Sequence, residues 1–175
     1  MKKTALLLIL ALSLFGENLH VSNGSVAAHT QMMMDSTIDP VNSSLKGDIV
    51  IDGKDITTMQ GKFWVDMNLF VSDEKDRDKN MYKEIETDKF KLATYTISNV
   101  KKAEAEGSYT IEGTLNFHGK EKPLNAKAKI AQKEGAFFLE ANSAILVSDF
   151  GIKMPCMVFM CVRDQVDLVV KAELK

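Results

Sequence analysis

Apolar and polar residues alternate with a period of two along much of the chain. In the segment 108–118, Tyr109, Ile111 and Leu115 share one face, and polar residues lie between them. Because successive side chains of a strand point to opposite faces, this alternation predicts β-strands with one dry face and one wet face. The segments with this pattern, in strong or weaker form, are 62–71, 92–98, 108–118, 123–131, 136–147 and 164–175.

Glycine-containing pairs separate the predicted strands. Glycine supplies the positive φ that tight hairpins need, so each pair predicts a turn between neighbouring strands. The pairs are Asn23-Gly24, Asp52-Gly53, Glu106-Gly107, His118-Gly119 and Glu134-Gly135.

One segment departs from the alternation. Residues 73–87 are highly charged, and Met81, Tyr82 and Ile85 recur there at helical spacing. This spacing predicts a short amphipathic helix from Asp76 to Glu86. We interpret its charges as a solvated face rather than a binding patch.

The strand pattern leaves two architectures open. About eight short strands at hairpin spacing can form a sandwich or a closed barrel. A closed eight-stranded barrel either fills its interior with side chains or holds one small ligand. The predicted dry face contains small residues that would leave room along a barrel axis: Gly113, Ala126, Ala128, Ala141, Ala144 and Ala172.

Composition narrows the function classes. The 175 residues allow one domain, and a net charge of −2 offers no excess of positive groups for nucleic acid. The sequence contains no nucleophile elbow, glycine-rich phosphate loop or closely spaced histidine pair. We therefore expect a protein that is not an enzyme, has no cofactor or metal site, and does not bind nucleic acid.

The first residues have the pattern of a secretory signal peptide. Lys2 and Lys3 precede a short apolar run, 5–15, which is too short to span a bilayer as a helix. We predict a signal peptide over 1–16 and a single domain over 17–175, although cleavage after Ala28 is the alternative. The protein is then expected to be periplasmic or secreted. With no second long apolar stretch, stable membrane insertion is not expected.

Sulfur-containing residues cluster near the C-terminus. Met154, Cys156, Met157, Met160 and Cys161 lie within eight residues, and 32–34 form a second methionine group. Soft sulfur ligands select Cu(I), so a periplasmic copper-binding or stress-response protein is the alternative function. A flexible apolar lining is the interpretation we favour. The two cysteines can form a disulfide only if a turn or helix brings them together, since an extended strand keeps them too far apart.

Three segments resemble the YceI-like family of secreted, lipocalin-like proteins. The first is the Arg-Asp-x-x-Met sequence at 77–81, followed by Asp-Lys-Phe and the strand 93–97. The second is the hairpin 109–124, and the third is Ser-Asp-Phe-Gly at 148–151. Together with the C-terminal strand they cover residues 45–175 in the family's order. Asn80 stands where the family has histidine, and only 24–30 offers a match to its N-terminal strand.

The resemblance implies an all-β fold, an eight-stranded antiparallel lipocalin-like barrel with a short helical insertion. It also implies an apolar tunnel that holds a long-chain amphiphile, such as a polyisoprenoid or other lipid, for carriage or storage. Barrels of this family often pair as homodimers.

Candidate ligand-binding residues combine the dry face with the family motifs. Arg77 and Asp78 either tie the helix to the barrel rim or meet a polar headgroup at the mouth. The opposite choice of face would replace Phe63 and Met67 by Trp64 and Phe70. The complete candidate set is Phe63, Met67, Arg77, Asp78, Met81, Tyr95, Ile97, Tyr109, Ile111, Phe117, Phe138, Phe150, Met157, Leu168 and Val170.

Overall fold

The structure, a computed structural model, describes residues 16–32, 37–157 and 160–175. The predicted signal peptide, apart from Gly16, lies outside the described residues, as do Met33 and Met34 of the second methionine group.

Eight long strands form a closed antiparallel barrel. Each strand pairs with the next along the chain, and the last returns to pair with the first. The expected fold class is thereby confirmed, and the sandwich is excluded. The strands are β1 (Glu17–Gln31), β2 (Lys46–Asp52), β3 (Asp55–Asp66), β4 (Leu92–Lys102), β5 (Ser108–Phe117), β6 (Lys120–Lys133), β7 (Ala136–Leu146) and β8 (Gln165–Leu174).

The two ends of the barrel differ. The lower end has the short β2–β3, β4–β5 and β6–β7 connections. The upper end carries the helix α1 (Lys75–Glu84) between β3 and β4, and the long connection between β7 and β8. Its shorter elements are 3₁₀ turns at Met67–Leu69 and Val147–Phe150, and two-residue strands at Thr37–Ile38, Val41–Asn42, Cys156–Met157 and Met160–Cys161.

The predicted helix is present with slightly different bounds. It begins at Lys75 rather than Asp76 and ends at Glu84 rather than Glu86. The helix stops there because Glu86 has a φ of +47°, which a right-handed helix does not allow. Met81 and Ile85 pack against the barrel core, as their spacing predicts.

The Asn23-Gly24 pair does not form a turn, so that prediction is wrong. Both residues lie within β1, which pairs with β2 through residues 17–20 and with β8 through 21–29. The β1–β8 register shifts between Val21 and Asn23, as a β-bulge does. A bulge bends a strand, and here it lets one long strand join two neighbours of the barrel.

The segment 62–71 is not one strand either. β3 ends at Asp66, whose carboxylate accepts a hydrogen bond from the backbone N–H of Asn68 at 2.9 Å and so caps the 3₁₀ turn that follows. Beyond this turn Leu69 and Val71 are 49% and 56% exposed, although the period-two pattern assigned both to the dry face.

Large apolar side chains pack the lower half of the barrel. They come from β1, β2, β3, β7 and β8 and point inward from positions close to the lower connections. Each is at most 2% exposed, so the chain itself closes this end of the bore. These side chains are Leu19, Ile49, Ile51, Met59, Phe137 and Leu174.

Candidate functional site

The inner wall of the upper half is not fully covered. Several inward apolar side chains there remain partly exposed, mostly on the wall formed by β6, β7, β8 and β1. A partly exposed side chain inside a barrel has space beside it that is at least wide enough for water. We call these residues the bore lining: Ala28, Ala93, Tyr95, Leu124, Ile145, Val166, Leu168 and Val170.

The opposite side of the upper half is filled by aromatic rings. Phe63 is 7% exposed, Phe117 8% and Phe150 2%. The rings of Phe117 and Phe150 pack with their centroids 5.3 Å apart. Gly47 faces Phe63 across the β2–β3 pair, and a Cβ on this glycine would approach the ring to 2.6 Å. The open space in the bore therefore lies mainly along the wall formed by β6, β7, β8 and β1.

Tyr95 places a hydroxyl group inside the bore. Its side chain crosses Gly113 of β5, where a Cβ would come within 2.6 Å of the hydroxyl oxygen. The hydroxyl donates to the carbonyl of Leu124 at 3.0 Å, and the carbonyl of Ile111 is 3.3 Å away. Burial, with a smaller contribution from the Glu112 charge, raises the pKa of Tyr95 to about 12. The hydroxyl is neutral at physiological pH.

Buried hydrogen bonds attach α1 to the barrel mouth. The Asp78 carboxylate is 7% exposed and accepts from the Ser72 backbone N–H at 3.0 Å and the Ser72 hydroxyl at 2.6 Å. The Tyr82 hydroxyl donates to the Phe70 carbonyl. Arg77 has weaker contacts, 3.4 Å to the Thr37 carbonyl and 3.6 Å to an Asp73 oxygen. Asp78 thus ties the helix to the rim, and Arg77 lies at the edge of the mouth.

His118 connects three upper elements. Its Nε2 lies 2.9 Å from the Glu86 carboxylate and its Nδ1 lies 3.1 Å from the Phe150 carbonyl. Both partners are hydrogen-bond acceptors, so each ring nitrogen lies against an oxygen that can accept from it. Its ring also packs on Phe90, with centroids 4.2 Å apart. This histidine joins the end of the α1 segment, the β5–β6 turn and the Val147–Phe150 turn.

Replacing His118 by alanine is expected to lower the free energy of unfolding by about 2 kcal/mol, because it removes two hydrogen bonds and a ring contact together. Urea denaturation followed by circular dichroism measures the change. His20→Ala is the control, since His20 is exposed and has one carboxylate partner, Asp48. Equal midpoints for the two variants would show that the His118 contacts add nothing to stability.

The sulfur cluster forms a disulfide-bonded hairpin. Cys156 lies directly opposite Cys161, their Cα atoms are 4.0 Å apart, and their sulfurs are bonded. The turn that the disulfide requires is therefore present. Met157 lies in the hairpin strand Cys156–Met157, while Val158 and Phe159 lie outside the described residues. The bond leaves neither cysteine as a thiolate, so the proposed copper site loses its strongest ligands while the disulfide is intact.

Most candidate lining residues occupy the inner face. Those on the strands alternate inward with their cross-strand partners, as the period-two pattern predicts. Met67 is buried in the 3₁₀ turn after β3, and Met81 packs against the core from α1. Inward positions on the strands are held by Phe63, Tyr95, Ile97, Tyr109, Ile111, Phe117, Leu168 and Val170.

Two residues of β7 assigned to the interior lie outside, and these predictions are wrong. Phe138 is 42% exposed, and its neighbour Phe137 points inward instead. Ala144 is exposed on the outer face of β7. An outer groove of about 610 Å³ lies beside Phe138, between Lys129 and Lys171, near the lower end. Consecutive apolar residues at 136–139 gave the pattern no means of choosing a face.

Five residues of the bore lining are absent from the candidate set. Leu124 and Val166 lie in segments with clear alternation, so the pattern predicts their inward direction. Ala28, Ala93 and Ile145 lie where the alternation is weak. Their exposure inside the barrel depends on which neighbouring side chains leave space, which no local pattern shows.

Within residues 16–32, 37–157 and 160–175, no three His, Cys, Asp or Glu side chains group closely enough to hold a metal ion. Of the described helices, none combines the length and the apolar character that a bilayer crossing requires.

A closed eight-stranded barrel whose lower half is packed with side chains and whose upper half is partly open inside defines a lipocalin-like class of protein. Residues 18–174 match the family model of the YceI-like domain. The chain belongs to this family. The resemblance of the motifs at 77–81, 109–124 and 148–151 is thereby confirmed. Comparison with curated proteins gave no match.

Solved structures of the same fold share little sequence with this chain. BcnA of Burkholderia cenocepacia has a TM-score of 0.75 at 15% identity, covering 86% of this chain and 95% of its own. A polyisoprenoid binding domain from Saccharophagus degradans, implicated in plant cell wall breakdown, has 0.68 at 11%, covering 90% and 97%. The Campylobacter jejuni YceI protein has 0.62 at 18%, covering 74% and 80%. At these identities the likeness concerns the fold.

Proposed function

We propose that this protein binds one long-chain amphiphile, a polyisoprenoid or a similar lipid, in the upper half of its barrel. The observation that carries the proposal is the bore lining, a continuous set of inward apolar side chains that the chain leaves partly uncovered. Membership of the YceI-like family and the fold shared with a polyisoprenoid binding domain support the same ligand class.

The binding energy comes from burial of hydrocarbon. Each CH₂ moved from water into the bore contributes about 0.8 kcal/mol before ordering costs are subtracted. The Tyr95 hydroxyl in the bore is neutral, and it already donates a hydrogen bond to the Leu124 carbonyl. No reaction step is needed for this function, which is carriage or storage of the intact ligand.

An exported protein fits the sulfur chemistry. Disulfides persist in oxidising compartments such as the bacterial periplasm, so the Cys156–Cys161 bond supports an exported protein. Together with the signal-like N-terminal segment, the bond supports a periplasmic or secreted location. We propose that the protein collects its ligand after export.

Native mass spectrometry of protein purified without detergent tests the ligand class. We expect a fraction of the protein to carry an adduct with the mass of a long-chain lipid, which organic extraction removes. A copper-sized adduct that disappears with a chelator would support the alternative metal function instead. If the measured mass is that of the protein alone, and the protein takes up no dansyl-labelled farnesol, the binding proposal is contradicted.

A further inference from the structure

The ladder between β6 and β7 ends before the upper rim of the barrel. The strands pair from Lys133–Ala136 up to Lys127–Asn142. β6 nevertheless begins at Lys120, and β7 continues to Leu146. Residues 120–126 thus have no ladder partner on β7, and residues 143–146 have none on β6, although each remains paired with its other neighbour. We call this opening the wall slot.

Pro123 lies on the edge of the wall slot. The Ile130 N–H donates to the Gly107 carbonyl on the β5 side. Backbone groups alternate in direction along a strand, so the nitrogen of Pro123, seven residues away, faces β7. Proline has no N–H, and a strand from another chain would find no donor at this position. The edge is therefore ill suited to pairing with an added strand.

The wall slot connects the outer surface with the bore. A cavity of about 280 Å³ occupies it. Pro123 and Leu146 line the cavity on the outer side, whereas Leu124 and Ile145 belong to the bore lining. Leu146 is 46% exposed, so the outer lip is apolar as well. A hydrocarbon chain lying in this cavity would contact these four apolar side chains in passing from the surface to the interior. The cavity is also lined by polar residues, Lys122, Asp149 and Gln165.

The upper mouth offers a more obstructed route. The Asp78–Ser72 and Tyr82–Phe70 hydrogen bonds hold α1 over the rim. Nearby, the buried Asn42 amide donates to the Asp66 carbonyl at 2.8 Å. Widening the mouth breaks such bonds, whereas widening the wall slot breaks no ladder bond. At the margin of the slot, the bond from His118 to the Phe150 carbonyl joins the β6 side to the β7 side.

We propose that the wall slot is the passage through which the hydrocarbon chain of the ligand enters the bore sideways. This inference rests on the proposed lipid-binding function and adds its route. Sideways passage lets a long chain slide in along its length, so that it need not thread end-first under α1.

Bridging the wall slot tests this route. The exposed pair Asn125→Cys and Ala144→Cys is bridged with a short bis-maleimide after purification, when the native cysteines are already bonded to each other. The matched control is Lys127→Cys with Asn142→Cys, which bridges the last existing ladder pair just below the slot. Stopped-flow fluorescence measures uptake of dansyl-labelled farnesol before and after bridging.

We expect the slot bridge to slow uptake about tenfold or more while the ladder bridge changes nothing. If the slot bridge does not form, Ala144→Trp at the slot lip and Asn142→Trp below it give the same comparison. If the wild-type protein takes up the probe, and neither the slot bridge nor Ala144→Trp slows this uptake, the proposed route is wrong while lipid binding stands. Absence of wild-type uptake would overturn the binding proposal and the route with it.

Discussion

Val170→Trp is expected to reduce the affinity for dansyl-labelled farnesol about hundredfold, or roughly 2.7 kcal/mol. Val170 belongs to the bore lining and pairs with Val26 and Ala141 on its two neighbouring strands. The indole ring would occupy the space beside these small side chains, where the ligand chain is proposed to lie. Equilibrium fluorescence titration measures the affinity.

The control is Val169→Trp, the same exchange one residue earlier. Val169 points to the outer face, opposite Asn142 and Ala27, so its indole stays outside the barrel. We expect wild-type affinity for this variant. Both variants should unfold within a few degrees of the wild type, because neither site is tightly packed. Equal affinities for the two variants would show that the ligand does not lie along β8.

The sequence predicts the inner face well where alternation is strict. In 108–118 and 164–175 the dry face is the inner face, because a one-residue slip would expose every apolar side chain of the strand. Phe137 and Phe138 show where this logic stops. Both are apolar, and only their pairing with Gln132 and Ala131 of β6, within the curved barrel, decides which one is buried.

No local sequence pattern predicts the wall slot. Residues 120–126 and 143–146 have ordinary strand sequences, and each remains paired on its other side. The Val147–Phe150 turn, which follows the unpaired end of β7, is anchored toward β8. The Ser148 hydroxyl donates to Asp164 at 2.6 Å, and the Val147 N–H donates to the Asp164 carbonyl at 3.0 Å. Pro123 was the visible clue, since proline tolerates an unpaired strand edge.

The function of the Arg77-Asp78 pair is decided by burial, which the sequence left open. The Asp78 carboxylate already accepts two hydrogen bonds from Ser72, so a ligand headgroup would have to displace both bonds to reach it. Arg77 is a weaker tie, because its contacts are longer and its partner Asp73 is exposed. A headgroup at the mouth would therefore meet Arg77 before Asp78.

Asp78→Ala is expected to lower the free energy of unfolding by about 3 kcal/mol, because the Ser72 N–H and hydroxyl lose a charged acceptor in a buried site. The loss should also free α1 from the rim, so hydrogen exchange at residues 75–84 should accelerate. Asp76→Ala is the control on the same helix, since Asp76 is 90% exposed and bonds only to Lys79. We expect no measurable change there.

These two measurements distinguish a structural role of Asp78, which holds α1 on the rim, from a role in binding the headgroup of a ligand. If the role of Asp78 is structural, Asp78→Ala lowers the free energy of unfolding and speeds hydrogen exchange in α1. The dissociation constant for dansyl-labelled farnesol, measured below the unfolding transition, then changes little. If Asp78 instead holds a headgroup, stability remains and affinity falls for ligands with a polar end. The 2.6 Å bond to the Ser72 hydroxyl favours the first result, because a carboxylate already bonded to its own chain contributes little to a ligand.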